Sequence, residues 1–321
     1  MKRKSKPSLW ALYCLVILSF PMRSVVAQKP AVTRPRPSQR LQAIVDEAAQ
    51  KTLKRFADKR LQQDQLAITL IDITDKEELL SGSYRGNVGI YPASVVKLFY
   101  LVATHRWLED GKLEDTPELR RALKSMIEVS SNDATGYVVD VLSGTSSGIE
   151  LSGKELKDWE WKRNAVNRYF ASLGYNDTNT VQKTFCEDAF GREHAFRGPN
   201  GENRNRLTTD STARLLSDIA TGRTVTAARS SQMMDLLKRD FSGTSKDEDD
   251  QAHGFTGIAL SPGMRLWSKA GWTSETRHDA AYIELPNGKH FILVTYTVGH
   301  ANEREIIPAV ATSVLEKLQQ K

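Results

Sequence analysis

"YPASVVKLF" (residues 91–99) is the stretch on which the rest of the chain turns. Ser94 and Lys97 stand three residues apart, just after Pro92, where a helix can begin. Residues at that spacing share one helix face. A lysine in a dry site beside a second cation can lose its proton and act as a base toward the serine hydroxyl. First-turn N–H groups lack helical acceptors and can hold an oxyanion. The same spacing also suits a capped helix with an exposed lysine, so the pair gains meaning only from what surrounds it.

Working outward, Leu41, Ile44, Val45 and Ala48 share one face of a helix. "QLAITLIDIT" (65–74) alternates as a strand, and a second short strand follows before Gly86. From Ser94 to about Ile219 the pattern is helical. One helix closes at Gly111, and another starts at Pro117 with Thr116 as its cap. "NAVNRYFASLG" is a third helix, "TTDSTARLLSDIATG" a fourth with Thr209 or Asp210 as its cap, and "SSQMMDLLKRDF" a fifth. Three strands follow, "MRLWSKAGWT", "HDAAYIELP" and "HFILVTYTVG", the last two joined by the hairpin turn "PNGK". A helix closes the chain.

This order predicts an α/β (α+β) fold: an antiparallel sheet flanked by N- and C-terminal helices, with an inserted all-helical subdomain. The α/β part is expected over about 41–93 and 255–321, and the insert over about 94–254.

The first 27 residues read as a secretory signal: "MKRKSK", an apolar stretch too short to span a bilayer, and small residues Val25 and Ala27 before a cut at Gln28. An exported protein, periplasmic or secreted, with no membrane span after cleavage is expected. "QKPAVTRPRPSQR" (28–40) reads as a flexible tether. The formal charge of +6, less the five cationic side chains of the signal, leaves about +1. No dense basic tract with interleaved aromatics follows, so nucleic acid is not an expected partner. Cys14 leaves with the signal, which leaves Cys186 alone, without a disulfide partner in the mature chain. The six histidines are dispersed without ligand spacing, so neither metal nor cofactor is expected. The acidic run "KDEDD" (246–250) reads as a solvated surface.

Two further stretches carry polar chemistry. In "VSSNDAT" (129–135), Ser130 and Asn132 flank Ser131 at a helix start, where a hydroxyl can shuttle a proton and an amide can bind a carbonyl. In "SKAGWTSETRHDAAYIEL" (268–285), Lys269 and Gly271 lie on a strand ahead of Trp272. A residue with no side chain lets a ligand lie against that strand.

In this order the three stretches resemble the S-x-x-K, S-D-N and K-T-G set of class A β-lactamases and penicillin-binding proteins. The resemblance runs from about Leu41 to the C-terminus and implies a β-lactamase/transpeptidase-like fold. It implies Ser94 as the acylated nucleophile, Lys97 as its base partner and Ser130 as the proton relay to the leaving nitrogen. It implies Asn132 on the substrate amide, and Lys269 on the substrate carboxylate and on Ser130. The backbone N–H groups of Ser94 and Trp272 would form the oxyanion hole beside Gly271. The partner implied is a small-molecule β-lactam or a cell-wall peptide.

Four departures stand out. Ser131 replaces the usual aspartate. Ala270 replaces a hydroxyl residue. The connection from Lys97 to Ser130 is short. The loop "QKTFCEDAFGREHAFRGPNGENRNRLTT" (182–209) lacks the family's glutamate followed by Leu-Asn. Counting from Gly174 places that glutamate near Thr184 to Phe185, and Glu187 is the nearest acid. The expected function is an exported serine hydrolase that is acylated by a β-lactam and hydrolyses it. A D-Ala-D-Ala peptidase or other amidase with slow β-lactam turnover, and a non-catalytic binding protein on this fold, are the alternatives.

Overall fold

Apolar side chains alternate along the long strands, and each parity has its own core. Ala67, Ile71, Ala280, Tyr282, Ile292, Val294 and Tyr296 face one side, while Leu66, Ile68, Leu70, Ala281, Ile283, Phe291 and Leu293 face the other. A period of two sends successive side chains to opposite faces, so a sheet written this way must be covered twice.

The computed structural model describes residues 34–185 and 188–319. The signal segment, Cys186 and Glu187 lie outside them. The strands are β1 (Arg36–Pro37), β2 (Leu66–Asp72), β3 (Leu80–Tyr84), β4 (Lys238–Arg239), β5 (Arg265–Trp272), β6 (Thr276–Glu284) and β7 (His290–Val298). They form one sheet in the order β1-β3-β2-β7-β6-β5-β4. It is antiparallel except where the two-residue edge strand β1 runs parallel to β3. Helices α1 (Gln39–Arg55) and α10 (Ile306–Gln319) cover one face.

The other face meets the helical block: α2 (Lys97–Glu109), α3 (Pro117–Glu128), α4 (Asn132–Ser143), α5 (Gly153–Arg163), α6 (Ala165–Ser172), α7 (Gly191–Arg197), α8 (Thr209–Ala220) and α9 (Ala227–Leu237). Helix α2 runs through its middle, and every residue from Lys97 to His105 is buried. A helix enclosed on all sides needs no polar face. No helix of the described residues is long and apolar enough to cross a membrane.

The structure corrects several boundaries. The tether does not extend past residue 35: Arg36–Pro37 pair with β3, and Ser38 caps α1 by accepting from the Leu41 N–H. Helix α8 is capped by Thr208, whose hydroxyl accepts from the Ser211 N–H at 3.0 Å, one residue earlier than expected. The fifth predicted helix stops at Leu237, because Lys238–Arg239 add to the sheet edge beside β5.

The 182–209 loop contains α7, which carries Glu193 into the block. There the wholly buried Arg163 donates to both Glu193 carboxylate oxygens, at 2.6 and 3.2 Å. Ser147 donates to the same group at 2.9 Å, and Lys183 bonds Asp140 at 2.6 Å beside it. Removing one partner of such a pair leaves an uncompensated buried charge. Glu193→Ala is therefore expected to lower the unfolding free energy in urea by about 3–5 kcal/mol. The joint change Arg163→Met with Glu193→Leu should lose clearly less, because no charge is left behind.

Candidate active site

Ser94 lies in a short 3-10 turn, Ala93–Val96, that feeds α2. The Lys97 N–H donates to the Ser94 and Val95 carbonyls. In that geometry side chains three apart eclipse, which aligns Lys97 with Ser94. Ala93 has φ +45°, a left-handed conformation that is costly for a residue with a Cβ.

Two contacts from the sheet hold this turn. A Cβ on Gly271 would lie 2.7 Å from Ser94 N and 2.9 Å from both Pro92 O and Val95 N, so β5 can approach only as glycine. Opposite Gly271 on β6 stands His278. Its Nδ1 accepts from the Thr297 N–H at 3.2 Å, so its Nε2–H is the donor to the Tyr91 carbonyl at 2.9 Å. Burial pulls the pKa of this imidazole down to about 4.

The second stretch sits across the cleft. Ser131 caps α4, its hydroxyl accepting from the Ala134 N–H at 3.2 Å, a role that serine and aspartate fill equally. Ser130 is left-handed, with φ +58°. Its hydroxyl lies 3.1 Å from Lys97 Nζ and 3.0 Å from Lys269 Nζ. Lys97 also donates to the Ser130 carbonyl at 2.6 Å and to Asn132 Oδ1 at 2.9 Å. Asn132 Nδ2 donates to the Phe185 carbonyl at 3.2 Å, which ties the site to the 182–209 loop.

Lys269 is wholly buried. Burial first, then the neighbouring Lys97 and Arg239 charges, hold its pKa well below the ordinary lysine range. It donates to Ser130 Oγ, to Gln251 Oε1 at 2.7 Å and to the Ala270 carbonyl at 2.6 Å.

Gln251, Arg239 and His278 were not evident in the sequence. Gln251 Nε2 and Arg239 both donate to the Ile127 carbonyl, at 3.1 and 3.0 Å, and so join β5 to the end of α3. Gln251 Nε2 also donates to the Glu128 carbonyl at 2.8 Å. No local pattern marks a glutamine that acts between distant segments.

The solvated reading of the acidic run holds only in part. Asp249 Oδ1 receives Arg277 at 2.7 Å and Arg304 at 2.6 Å, because those two guanidinium groups converge there. Of the loop glutamates, Glu193 is buried on Arg163, and Glu202 bonds Asn200 at 2.8 Å. Glu187 falls outside the described residues. Thr184 and Phe185, at the counted position, offer no carboxylate. Among the described residues no cluster of His, Cys, Asp and Glu could hold a metal ion.

The sheet, the helical block and the serine–lysine constellation between them form a β-lactamase-like serine hydrolase fold. A model of the beta-lactamase enzyme family matches residues 114–318, well over half of the chain, and the chain belongs to that family. No curated protein matches it by sequence. Among solved structures it is similar to a β-lactamase from Sphaerobacter thermophilus, at 18% identity and TM-score 0.61, with 85% of this chain and 96% of that one covered. It is similar to PBP-A at 15% identity and TM-score 0.61, with 89% and 98% covered. The TLA-1 extended-spectrum β-lactamase gives 16% identity and TM-score 0.62, with 86% and 99% covered.

The geometry yields two predictions. Gly271→Ala should separate β5 from the Ala93–Val96 turn and lower the rate at which an acylating probe reacts with Ser94 by about 10²-fold, the scale of a 1 Å misplacement. Stopped-flow labelling with such a probe, with circular dichroism to confirm folding, measures this.

The His278 pKa, about 4 when folded and about 6.5 when unfolded, makes the unfolded state bind the proton first as the pH falls. Stability is full above about 6.5 and declines toward 4, by about 3 kcal/mol in all. His105 acts in the same direction, whereas Asp218, raised to about 6 by burial, acts oppositely. Urea melts of wild type and His278→Gln should therefore differ most near pH 7 and converge near pH 4.

Proposed function

We propose that the protein is an exported serine hydrolase of the class A type that opens a β-lactam ring through an ester at Ser94. Lys97 takes the Ser94 proton as Oγ attacks the lactam carbonyl. The Ser94 and Trp272 N–H groups receive the oxyanion, and Asn132 holds the substrate amide. Ser130 passes a proton to the leaving nitrogen as the C–N bond breaks, and Lys269 steadies that hydroxyl. Glu187 then activates the water that hydrolyses the ester. The observation that carries this reading is the Ser130 hydroxyl, 3.1 Å from Lys97 Nζ and 3.0 Å from Lys269 Nζ. A hydroxyl between two amines is built to relay a proton rather than to cap a helix.

A second reading has a specific observation in its favour. The loop carbonyl that engages Asn132 belongs to Phe185, a residue with no base to offer. Without a positioned carboxylate the ester would persist, as expected of a penicillin-binding peptidase.

Intact-mass spectrometry of the mature protein with benzylpenicillin tests both readings. Turnover without a lasting adduct is the expected result, and Ser94→Ala should abolish it. Glu187→Gln should lengthen the adduct lifetime by about 10²–10⁴-fold, the scale of one general base. A lasting adduct in the wild type selects the second reading. No adduct and no hydrolysis removes both.

A further inference from the structure

The leaving-group side of the cleft is formed by β5 and by the loop that leads into it. Four groups there could meet an anion: Lys269, Arg277, Arg239 and the side chain at position 270. All four are already committed within the protein.

A lysine ammonium has three donors. Those of Lys269 are taken by Ser130 Oγ, Gln251 Oε1 and the Ala270 carbonyl. Arg239 donates to the Ile127, Glu128 and Ser268 carbonyls. Arg277 donates through Nη1 to Asp249 and through Nη2 to the Gly254 and Glu248 carbonyls. Its Nε is buried without an acceptor, and the guanidinium lies 3.9 Å over the Phe255 ring.

Position 270 supplies no hydroxyl. Ala270 is wholly buried and packs with Phe255 and Ile307, and the Trp272 ring lies 5.6 Å from that of Phe255. Beside Arg277 stand two carboxylates: Asp249, and the buried Asp279, which pairs with Ala270 across the strands.

An incoming carboxylate would have to displace an internal acceptor from one of these cations. The displaced acceptor, a buried amide or carbonyl oxygen, would be left without its partner, and the carboxylate would meet Asp249 as a like charge. Beside these groups lies instead the half-buried Trp272 ring, with the buried Phe255 behind it.

We propose that the site reads no carboxylate beside the scissile nitrogen, and that its substrates are amides or esters with an uncharged, apolar leaving side, β-lactams being accepted without use of their carboxylate. This rests on Ser94 being the acylated residue. Asp249 is the resident anion that neutralises Arg277, and the half-buried Trp272 ring, backed by the buried Phe255, is the apolar group that the leaving side meets.

The test compares acylation of the full mature protein by benzylpenicillin and by its methyl ester, with stopped-flow rates and intact mass. A site that reads the carboxylate through charged hydrogen bonds should favour the acid by at least about tenfold. The expected result is that the ester acylates Ser94 as fast as the acid, or faster. A tenfold or greater preference for the acid overturns the inference while leaving Ser94 acylation intact. Failure of both compounds to be hydrolysed or to label Ser94 overturns the acylation reading and the inference with it.

Asp249→Asn uncovers Arg277 without removing a group from the reaction. The ratio of acid to ester rates should rise by about tenfold in that variant. An unchanged ratio with a folded protein overturns the role given to Asp249. If that variant does not fold, Arg304→Gln, which removes the other cation on Asp249, leaves the Arg277–Asp249 pair in place. Its ratio should stay as in the wild type, and a shift toward the acid overturns the proposal.

Discussion

The arrangement depends on placing two lysines around one hydroxyl, out of water. Lys97 and Lys269 are both wholly buried, and both lie within hydrogen-bond distance of Ser130 Oγ. Like charges at such a spacing repel, and burial adds a desolvation cost to each. The fold answers with oxygen. The Ser130 carbonyl and Asn132 Oδ1 accept from Lys97, and Gln251 Oε1 and the Ala270 carbonyl accept from Lys269. The lowered pKa of Lys269 reflects the part of the cost that these acceptors leave uncovered. The same imbalance lets Lys269 give up its proton more readily than an ordinary lysine.

This constraint explains the architecture around it. Lys97 opens α2, whose burial on all sides removes water from one half of the site. Lys269 lies on β5 of the sheet, and Ser130 lies between α3 and α4. The three come from different layers, so their spacing requires ties between layers. Gln251 and Arg239 supply two, from β5 and its neighbouring loop to the last carbonyls of α3. His278 supplies a third, from β6 to the backbone ahead of the left-handed Ala93. A donor fixed to a rigid sheet can hold backbone strain that a free loop would release.

The parts legible in the sequence are those governed by local rules. Alternation in "QLAITLIDIT" and the three late strands report a sheet, and the helical period between them reports the block. Ser94, Lys97, Ser130, Asn132, Lys269 and Gly271 could be found because they occur at fixed offsets within three short stretches. The structure does gather the backbone and side chains of these residues at one cleft. Gln251, Arg239, Asp249 and His278 could not be found, because each acts on a partner far away in the chain. Arg163 and Glu193 were hidden for the same reason, and the acidic run read as solvated turned out to hold Asp249 in ion pairs with Arg277 and Arg304. The cap of α8 was misplaced by one residue because three adjacent polar residues, Thr208, Thr209 and Asp210, are all competent caps.

These hidden residues decide what the site can recognise, whereas the visible ones decide what it can do. A serine with a lysine base and a relay hydroxyl makes an acyl transfer possible on almost any activated carbonyl. Selection among carbonyl compounds falls to the groups left over once the fold has satisfied its own charges. On the β5 side Asp249, Gln251 and the α3 carbonyls already hold the cationic donors, and the Trp272 ring lies against the buried Phe255. The substitution at Ala270 fits the same pattern: a methyl group packed against Phe255 keeps that wall apolar, where a hydroxyl would leave a donor to be satisfied. Two chains can therefore share the reactive constellation and still differ in the charge of the molecules they accept.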